Sequence, residues 1–454
     1  MKICADDTIA AVSTPPGRSA VALIRISGKD ALKTASRIFF PASGKKVTEL
    51  KSHTIHYGEV RHKGRVIDEV MVSVMRSPSS YTGEDTVEIT CHGGGCVTAG
   101  VLDAALSGGA RPAGPGEFTM RAFLNGKMDL TQAEAVNHLI NAKSEKARKC
   151  ALDILKGELG KRIREAGKAV MDARVNVDAR LEWGETEGVT TLSNRDISTI
   201  ILRAAAILSE IINDSYDAEK LTEGYKAVIC GMPNAGKSSL FNLLLNRERS
   251  IVDREAGTTR DTVDSGIIFE GVLVNLYDTA GVGLDNPSPV DVAAAAKTEE
   301  EMLTADLVIY VIDGNVGPLE HDRKFLDKAD GRKVLTVLNK SDLSSARIYP
   351  EWLPPDRSVI SCRDRNGIPE LRKRIEEALS DGNKSGIMIT ARQRGLLKEA
   401  SECLHRASNM VANGDDELAS CDLADASQRI GEVEGREARE DILDRVFSGF
   451  CIGK

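Results

Sequence analysis

The chain has 454 residues, 41% hydrophobic and 28% charged, with a formal net charge of −8, so it is too long for one ordinary core and two or three domains are expected. No apolar run is long enough to cross a bilayer, and Met1-Lys2-Ile3-Cys4 leads into Asp6-Asp7 without a signal-peptide pattern, so the expected location is cytoplasmic with no membrane contact. The negative balance repels phosphate, so any nucleic-acid partner must be held by a local basic patch or by a second protein.

Up to about Gly116 the chain reads as a small α/β region, with strand runs at Ser19 to Ile26, Val66 to Val74 and Thr86 to Thr90. From Glu117 to about Tyr216 the pattern turns helical, and Ile197, Ile200, Ile201, Ala204, Ile207, Leu208 and Ile211 share one helical face. Tyr225 to Cys230 opens a second α/β pattern, with strands at Leu273 to Tyr277, Leu307 to Ile312 and Val334 to Leu338. After Asp381-Gly382-Asn383 the chain is expected to be helical to about Ser448, with no strand. The predicted organisation is 1–117, α/β; 118–221, helical, first part; 222–381, a Ras-like P-loop domain; and 382–454, helical, second part. The P-loop domain thus interrupts the helical one, as an inserted domain would.

Gly231-Met-Pro-Asn-Ala-Gly-Lys-Ser238 sits between a strand and the amphipathic run Ser239 to Leu245, the context a phosphate loop requires. Backbone N–H groups from Asn234 to Ser239 turn toward phosphates, Lys237 supplies a positive charge, and the Ser238 hydroxyl is a Mg²⁺ ligand. Gly257-Thr258-Thr259 is placed as a switch loop, with Thr259 reaching Mg²⁺ and the γ-phosphate. Asp278-Thr279-Ala280-Gly281 ends a strand on the magnesium side, and the Gly281 N–H senses the γ-phosphate. Asn339-Lys340-Ser341-Asp342 ends another strand, where Asp342 accepts from the two adjacent N–H donors of guanine. Adenine would leave that carboxylate unpaired, so GTP is selected over ATP. Ser361-Cys362-Arg363 stands where a second base-contacting loop belongs.

Val282 occupies the place where many GTPases carry a water-orienting glutamine, and an apolar side chain cannot hold water. Asp291 reads either as the residue that positions the attacking water or as an acid stabilised at the N-terminus of the helical run Val292 to Met302.

Beyond the nucleotide motifs, the chain resembles the tRNA-modification GTPase family known as MnmE or TrmE over nearly its whole length. The resemblance rests on Thr14-Pro-Pro-Gly17, Arg25-Ile-Ser-Gly28, Tyr81-Thr-Gly-Glu-Asp85, His92-Gly-Gly94, Gly114-Pro-Gly-Glu-Phe118, Arg121-Ala-Phe-Leu-Asn125 with Lys127, and the terminal Phe450-Cys-Ile-Gly-Lys454. It implies a homodimer whose amino-terminal folate-binding domain takes 5-formyl- or methylene-tetrahydrofolate, with Arg25, Glu88, Lys127 and Lys454 aligned to the folate site. It further implies K⁺-stimulated GTP hydrolysis, with Asn234, Asp253, Glu255 and Thr258 aligned to a K⁺ site. A flavin-dependent, MnmG-type (GidA) partner and tRNA are implied with it, the product being an aminomethyl or carboxymethylaminomethyl group at position 5 of the wobble uridine. Cys451 acquires its chemical role from the terminal signature alone. Its C-a-a-X position is rejected as a prenylation site because Gly453 is not aliphatic, Lys454 is an unusual last residue and no polybasic stretch precedes it. The segment after Gly281, Val282-Gly-Leu-Asp-Asn-Pro-Ser-Pro289, departs from the family and bears on the hydrolytic step. A regulatory GTP-binding switch without a part in tRNA modification is the competing expectation; it leaves the amino-terminal region and the terminal signature without a role.

Overall fold

The computed structural model describes residues 7–183, 192–245, 266–269, 271–278, 302–329, 331–343, 349–380, 386–436 and 440–454. Two compact units are present, one made of residues 1–137 with 427–454 and the other of residues 138–426.

The first unit is built on strands β1 (Ile9–Val12), β2 (Val21–Ser27), β3 (Phe39–Pro41), β4 (Thr54–His62), β5 (Arg65–Met75), β6 (Thr86–His92) and β7 (Arg111–Pro112). They form one sheet in the order β3-β4-β5-β6-β2-β1-β7, antiparallel except for the β1–β7 pair. Period-2 alternation sets its two faces. Ala22, Ile24 and Ile26 of β2 join Val70, Val72 and Val74 of β5 in a core closed by the helices Ala31–Ile38 and Gly95–Ser107. Arg25 and Glu88 are partners across β2 and β6 on the opposite face.

The helix Glu117–Leu124 buries Arg121 and Glu117, which are 2% and 1% exposed. Arg121 contacts Asp7, Glu84 and Glu117, and Arg111 bridges the same Asp7 and Glu117. Burial pushes the Glu117 carboxyl up, but hydrogen bonds from Arg111, the Gly114 N–H and Arg121 outweigh it, leaving Glu117 below its ordinary value. Asp7 is lowered by the same balance of burial against Arg111 and Arg121. The carboxyl-terminal residues complete this unit. Pro115 bridges Ile452, the Phe118 N–H donates to the Lys454 carbonyl, and the Ser13 hydroxyl donates to the Gly453 carbonyl at 3.0 Å. Gly453 has φ +99°, and any Cβ there would overlap the Val12 carbonyl, so only glycine fits.

In the second unit the helices Glu145–Leu155, Glu158–Trp183, Asn194–Asp214 and Ala391–Asn413 pack side by side, Asn194–Asp214 lying against both Glu158–Trp183 and Ala391–Asn413. Ile197, Ile201, Ala204, Leu208 and Ile211 are fully buried, as the predicted face requires, while Ile200 and Ile207 are half-buried at its margins. Thr390 and Gln393 form a reciprocal capping box at the start of the last of these helices. One expectation is corrected: the stretch after residue 383 does contain a strand, β15 (Met388–Ile389), paired in parallel with β8 (Tyr216–Asp217). Two residues are too few to produce a periodic signal.

The α/β part comprises β9 (Tyr225–Gly231), β10 (Gly266–Phe269), β11 (Val272–Asp278), β12 (Leu307–Asp313), β13 (Val334–Asn339) and β14 (Arg357–Val359). Their order is β10-β11-β9-β12-β13-β14, parallel throughout except that β10 runs antiparallel to β11. The chain leaves β9 toward β11 and leaves β12 toward β13, so the strand order reverses between β9 and β12. Ligands of open α/β sheets bind at the carboxyl edge beside such a reversal.

Candidate functional site

The phosphate loop follows β9 at that edge and opens into the helix Lys237–Leu245. Asn234 takes φ +62° and Gly236 φ +97°, the left-handed geometry that turns successive N–H groups inward. At Gly236 a Cβ would overlap the Asn339 amide, so glycine is obligatory. Lys237 is 8% exposed and its ammonium donates to the Met232 carbonyl at 3.0 Å. Burial lowers its pKa, partly opposed by Asp278 and Cys230. The Ser238 hydroxyl donates to the Asp278 carboxylate at 2.7 Å, which brings the two predicted magnesium-side residues into contact from the start of the helix Lys237–Leu245 and the end of β11.

The loops after β13 and β14 form a second, adjoining arrangement. A cavity of about 320 Å³ is lined by Gly236, Ser239, Asn339, Lys340, Asp342, Leu343, Cys362 and Arg363. All but Leu343 are residues the sequence motifs single out, drawn from the loops after β9, β13 and β14. The Ser361 hydroxyl donates to Asp342 at 2.8 Å and the Cys362 N–H donates to the Asn339 Oδ1 at 3.2 Å. Asn339, 2% exposed, donates from Nδ2 to the Ala235 carbonyl at 2.9 Å, tying the base loop to the phosphate loop. Burial pushes the Cys362 thiol up to about 11, against an opposing hydrogen bond with Asn339, so it stays protonated at neutral pH.

Sequence reasoning missed two residues here. Leu343 adds the cavity's apolar wall and follows Asp342 directly, a signal that was readable. Asp313, at the carboxyl end of β12, accepts from the Lys340 ammonium at 2.6 Å, and the next N–H, of Gly314, donates to the Asn339 carbonyl at 2.7 Å. Burial raises the Asp313 carboxyl, but Lys340 and the Asn315 N–H outweigh it and hold it low. The sequence signal was a β12 run ending in Asp-Gly at the switch edge. Asp253, Glu255, Gly257, Thr258, Thr259, Thr279, Ala280, Gly281, Val282 and Asp291 lie outside the described residues.

A second cluster lies in the first unit. Arg25 pairs with Glu88 at 2.8 Å and donates to the Gly453 carbonyl at 3.2 Å. Its guanidinium lies 5.4 Å from the Tyr81 ring and 5.5 Å from the Phe118 ring, two aromatics present in the quoted motifs but not foreseen as neighbours of Arg25. The half-buried Lys454 ammonium is lowered by burial and by Arg25, and raised by Glu88 and Cys451, which places these groups within electrostatic reach of one another. Cys451 is exposed, whereas a helix-terminal cysteine is more often buried and inert. Lys127 is exposed and donates to the Pro78 carbonyl at 3.1 Å, on the turn that carries Tyr81.

Comparison with known proteins bears on both clusters. Residues 130–451 match the family model described as the MnmE helical domain, and residues 8–127 match that of the GTP-binding protein TrmE N-terminus. The chain belongs to the MnmE family. Among curated relatives it is 38% identical to the tRNA modification GTPase MnmE of Moorella thermoacetica over 465 aligned residues, covering 99% of this chain and 100% of that protein. It is 39% identical to the MnmE of Lachnoclostridium phytofermentans, with 99% of each chain covered, and 36% identical to that of Lactiplantibacillus plantarum, covering 99% and 98%. Among solved structures it is similar to Aquifex aeolicus Era bound to GDP and AlF4−, at 27% identity over 39% of this chain and 66% of that one, with a TM-score of 0.27.

Proposed function

We propose that this MnmE-family chain hydrolyses GTP to GDP and phosphate as one step of tRNA modification. The observation that carries the reading is the continuous site from Lys237, Ser238 and Asp278 to the cavity around Asp342. The phosphate-loop N–H groups and Lys237 bind the triphosphate, Asp342 reads the guanine edge, and Asn339 holds the two halves in register. Cleavage of the β–γ bond by water needs the nucleophile in line with the leaving oxygen. Asp291 is assigned that orienting role because Val282 cannot perform it.

The oxygen-rich Ser238 and Asp278 pair suits a hard cation, and Ser238 with Thr259 would hold Mg²⁺, which neutralises developing phosphate charge when bound. The exposed Asn234 amide on the loop's rim is an oxygen donor suited to K⁺. With Asp253, Glu255 and Thr258 it would hold a K⁺ that supplies positive charge at the transition state. Arg25, Glu88, Lys127 and Lys454 are assigned to 5-formyl- or methylene-tetrahydrofolate. Cations beside a carboxylate and two aromatic rings suit a ligand with carboxylates, an amino edge and a flat ring. Cys451, exposed beside this cluster, is the assigned chemical residue of the terminal signature.

In this reading the chain acts as a homodimer with an MnmG-type FAD-containing subunit in a heterotetramer or larger complex, and places a folate-derived carbon on position 5 of the wobble uridine of certain tRNAs. The four segments 1–117, 118–221, 222–381 and 382–454 serve as folate-binding and dimerisation, helical, GTPase and second helical parts. The β8–β15 pairing, where the chain enters and leaves the α/β part, supports an inserted domain. Among the described residues no helix is long and apolar enough to cross a membrane. The test is GTP turnover in KCl against NaCl, with the wobble modification measured after gene deletion. Faster turnover in KCl and loss of the modification are expected; equal rates would remove the K⁺ assignment, and intact modification would leave the regulatory switch.

A further inference from the structure

A protein of net charge −8 that acts on tRNA holds it through a local basic patch or through a second protein, and this chain carries a candidate for the first. Residues 143–168 do so, with nine lysines and arginines against four acids. Most of this segment is the helix Glu145–Leu155 and the first turns of the helix Glu158–Trp183. Burial fixes which way the charges face. Ala147, Cys150, Ala151 and Ile154 face the core from the first helix, and Leu159, Ile163, Ala166 and Val170 from the second. At 100° per residue, Lys149 and Lys156 fall opposite the first buried face, and Lys161, Arg164 and Lys168 opposite the second. All five are exposed.

Surface cations in proteins are usually balanced by neighbouring acids, and parts of this segment follow that rule: Arg148 pairs with Glu145, and Arg162 with Glu210. Lys156 pairs with Asp153, and Lys149 lies within electrostatic reach of Glu145, whereas among the described residues Lys161 and Lys168 pair with no carboxylate. Lys161 and Lys168 are two helical turns apart, about 10 Å.

We propose that this stripe is the surface on which the RNA phosphodiester backbone docks, resting on the tRNA-modification reading above. Compact, hydrated ammonium groups on flexible stems match a phosphate ladder, and they carry no base-reading geometry. The surface therefore supplies affinity and orientation, and sequence choice is made elsewhere.

The test measures binding of unmodified tRNA to the full-length chain across a salt series, for wild type, Lys161→Ala/Lys168→Ala, and the charge-matched control Lys324→Ala/Lys328→Ala. Weakening by on the order of tenfold and a salt slope reduced by about 2 are expected for the first variant. The control is expected to bind as wild type, and GTP turnover to be equal in all three. Equal weakening in the control would reduce the effect to net charge and overturn the proposal, as would unchanged binding by the first variant. A stripe that retains anionic phospholipid vesicles but not tRNA would overturn it too. Wild type that turns over GTP without holding tRNA refutes the surface alone, whereas wild type that does neither refutes the functional reading.

Discussion

Asp313 lies outside the lining of the cavity around Asp342, yet it acts on it through Lys340. Lys340 sits at φ +64°, a left-handed geometry that costs a side-chain-bearing residue about 1 kcal/mol, and its ammonium is held at 2.6 Å by Asp313. Asp313→Asn keeps the turn-forming oxygen that accepts the Asn315 N–H but removes the charge. It should weaken GDP and GTP binding alike by about tenfold with little change in kcat, as measured with a fluorescent nucleotide. Asp342→Asn removes the acceptor itself and should cost on the order of a hundredfold to a thousandfold in GTP affinity. Asp291→Asn separates the two readings of that residue. As the water-positioning group it should lower kcat with KM unchanged, while a macrodipole acid would leave single-turnover hydrolysis near wild type and cost a few tenths of a kcal/mol in stability.

At the scale of elements, the helix Glu117–Leu124 is fastened by the Arg121, Glu117, Asp7 and Arg111 network rather than by apolar packing alone. Arg121→Met would leave Glu117 buried and under-compensated, so destabilisation of about 3–5 kcal/mol is expected in denaturant titrations. The network also sets an acid limit. Both carboxylates are held below their ordinary values, so their contribution is full at neutral pH. It drains as pH falls through those lowered values, below the usual carboxylate range. Acid unfolding of wild type should show this loss, and Arg121→Met should flatten it.

The same elements show what could be read in advance. Long, buried strands such as Leu307–Asp313 announce themselves by composition, and the motif residues lie at their ends because parallel strands deliver loops to one edge. Met388–Ile389 escaped because its partner is remote in sequence, and Gly266–Phe269 because four residues next to a turn give no period. Arg121 was legible as a motif residue but not as a buried ion. Of its six hydrogen bonds, the four to Asp7 and Glu84 reach segments that only the folded sheet brings together. Asp313 was legible as the Asp-Gly end of the β12 run but not as an ion-pair partner, since Lys340 directly follows the neighbouring strand β13.

At the scale of the molecule, the two residue clusters occupy different units: the nucleotide loops lie within residues 138–426, and the Arg25 cluster within residues 1–137 with 427–454. Removing Cys451 to Lys454 deletes the Gly453 carbonyl that accepts from Arg25 and Ser13 and removes the Lys454 ammonium. Reduced-folate binding should fall below detection by calorimetry while GTP turnover stays within about twofold, since no group of the nucleotide site is touched.

The contribution of residues 427–454 to the first unit has a consequence for biosynthesis. Roughly 290 residues are translated between the end of 1–137 and the arrival of Ser427, which at about 5–20 residues per second is a wait of some 15 to 60 seconds. Through that interval the nascent sheet lacks the segment that brings Phe447 and Phe450 to their buried positions and places Gly453 beside Val12. The nucleotide-binding part, contained in one continuous stretch, meets no such delay. A chain released early would therefore bind GTP before it could assemble the Arg25 cluster, which makes the amino-terminal unit, though first made, the last to be finished.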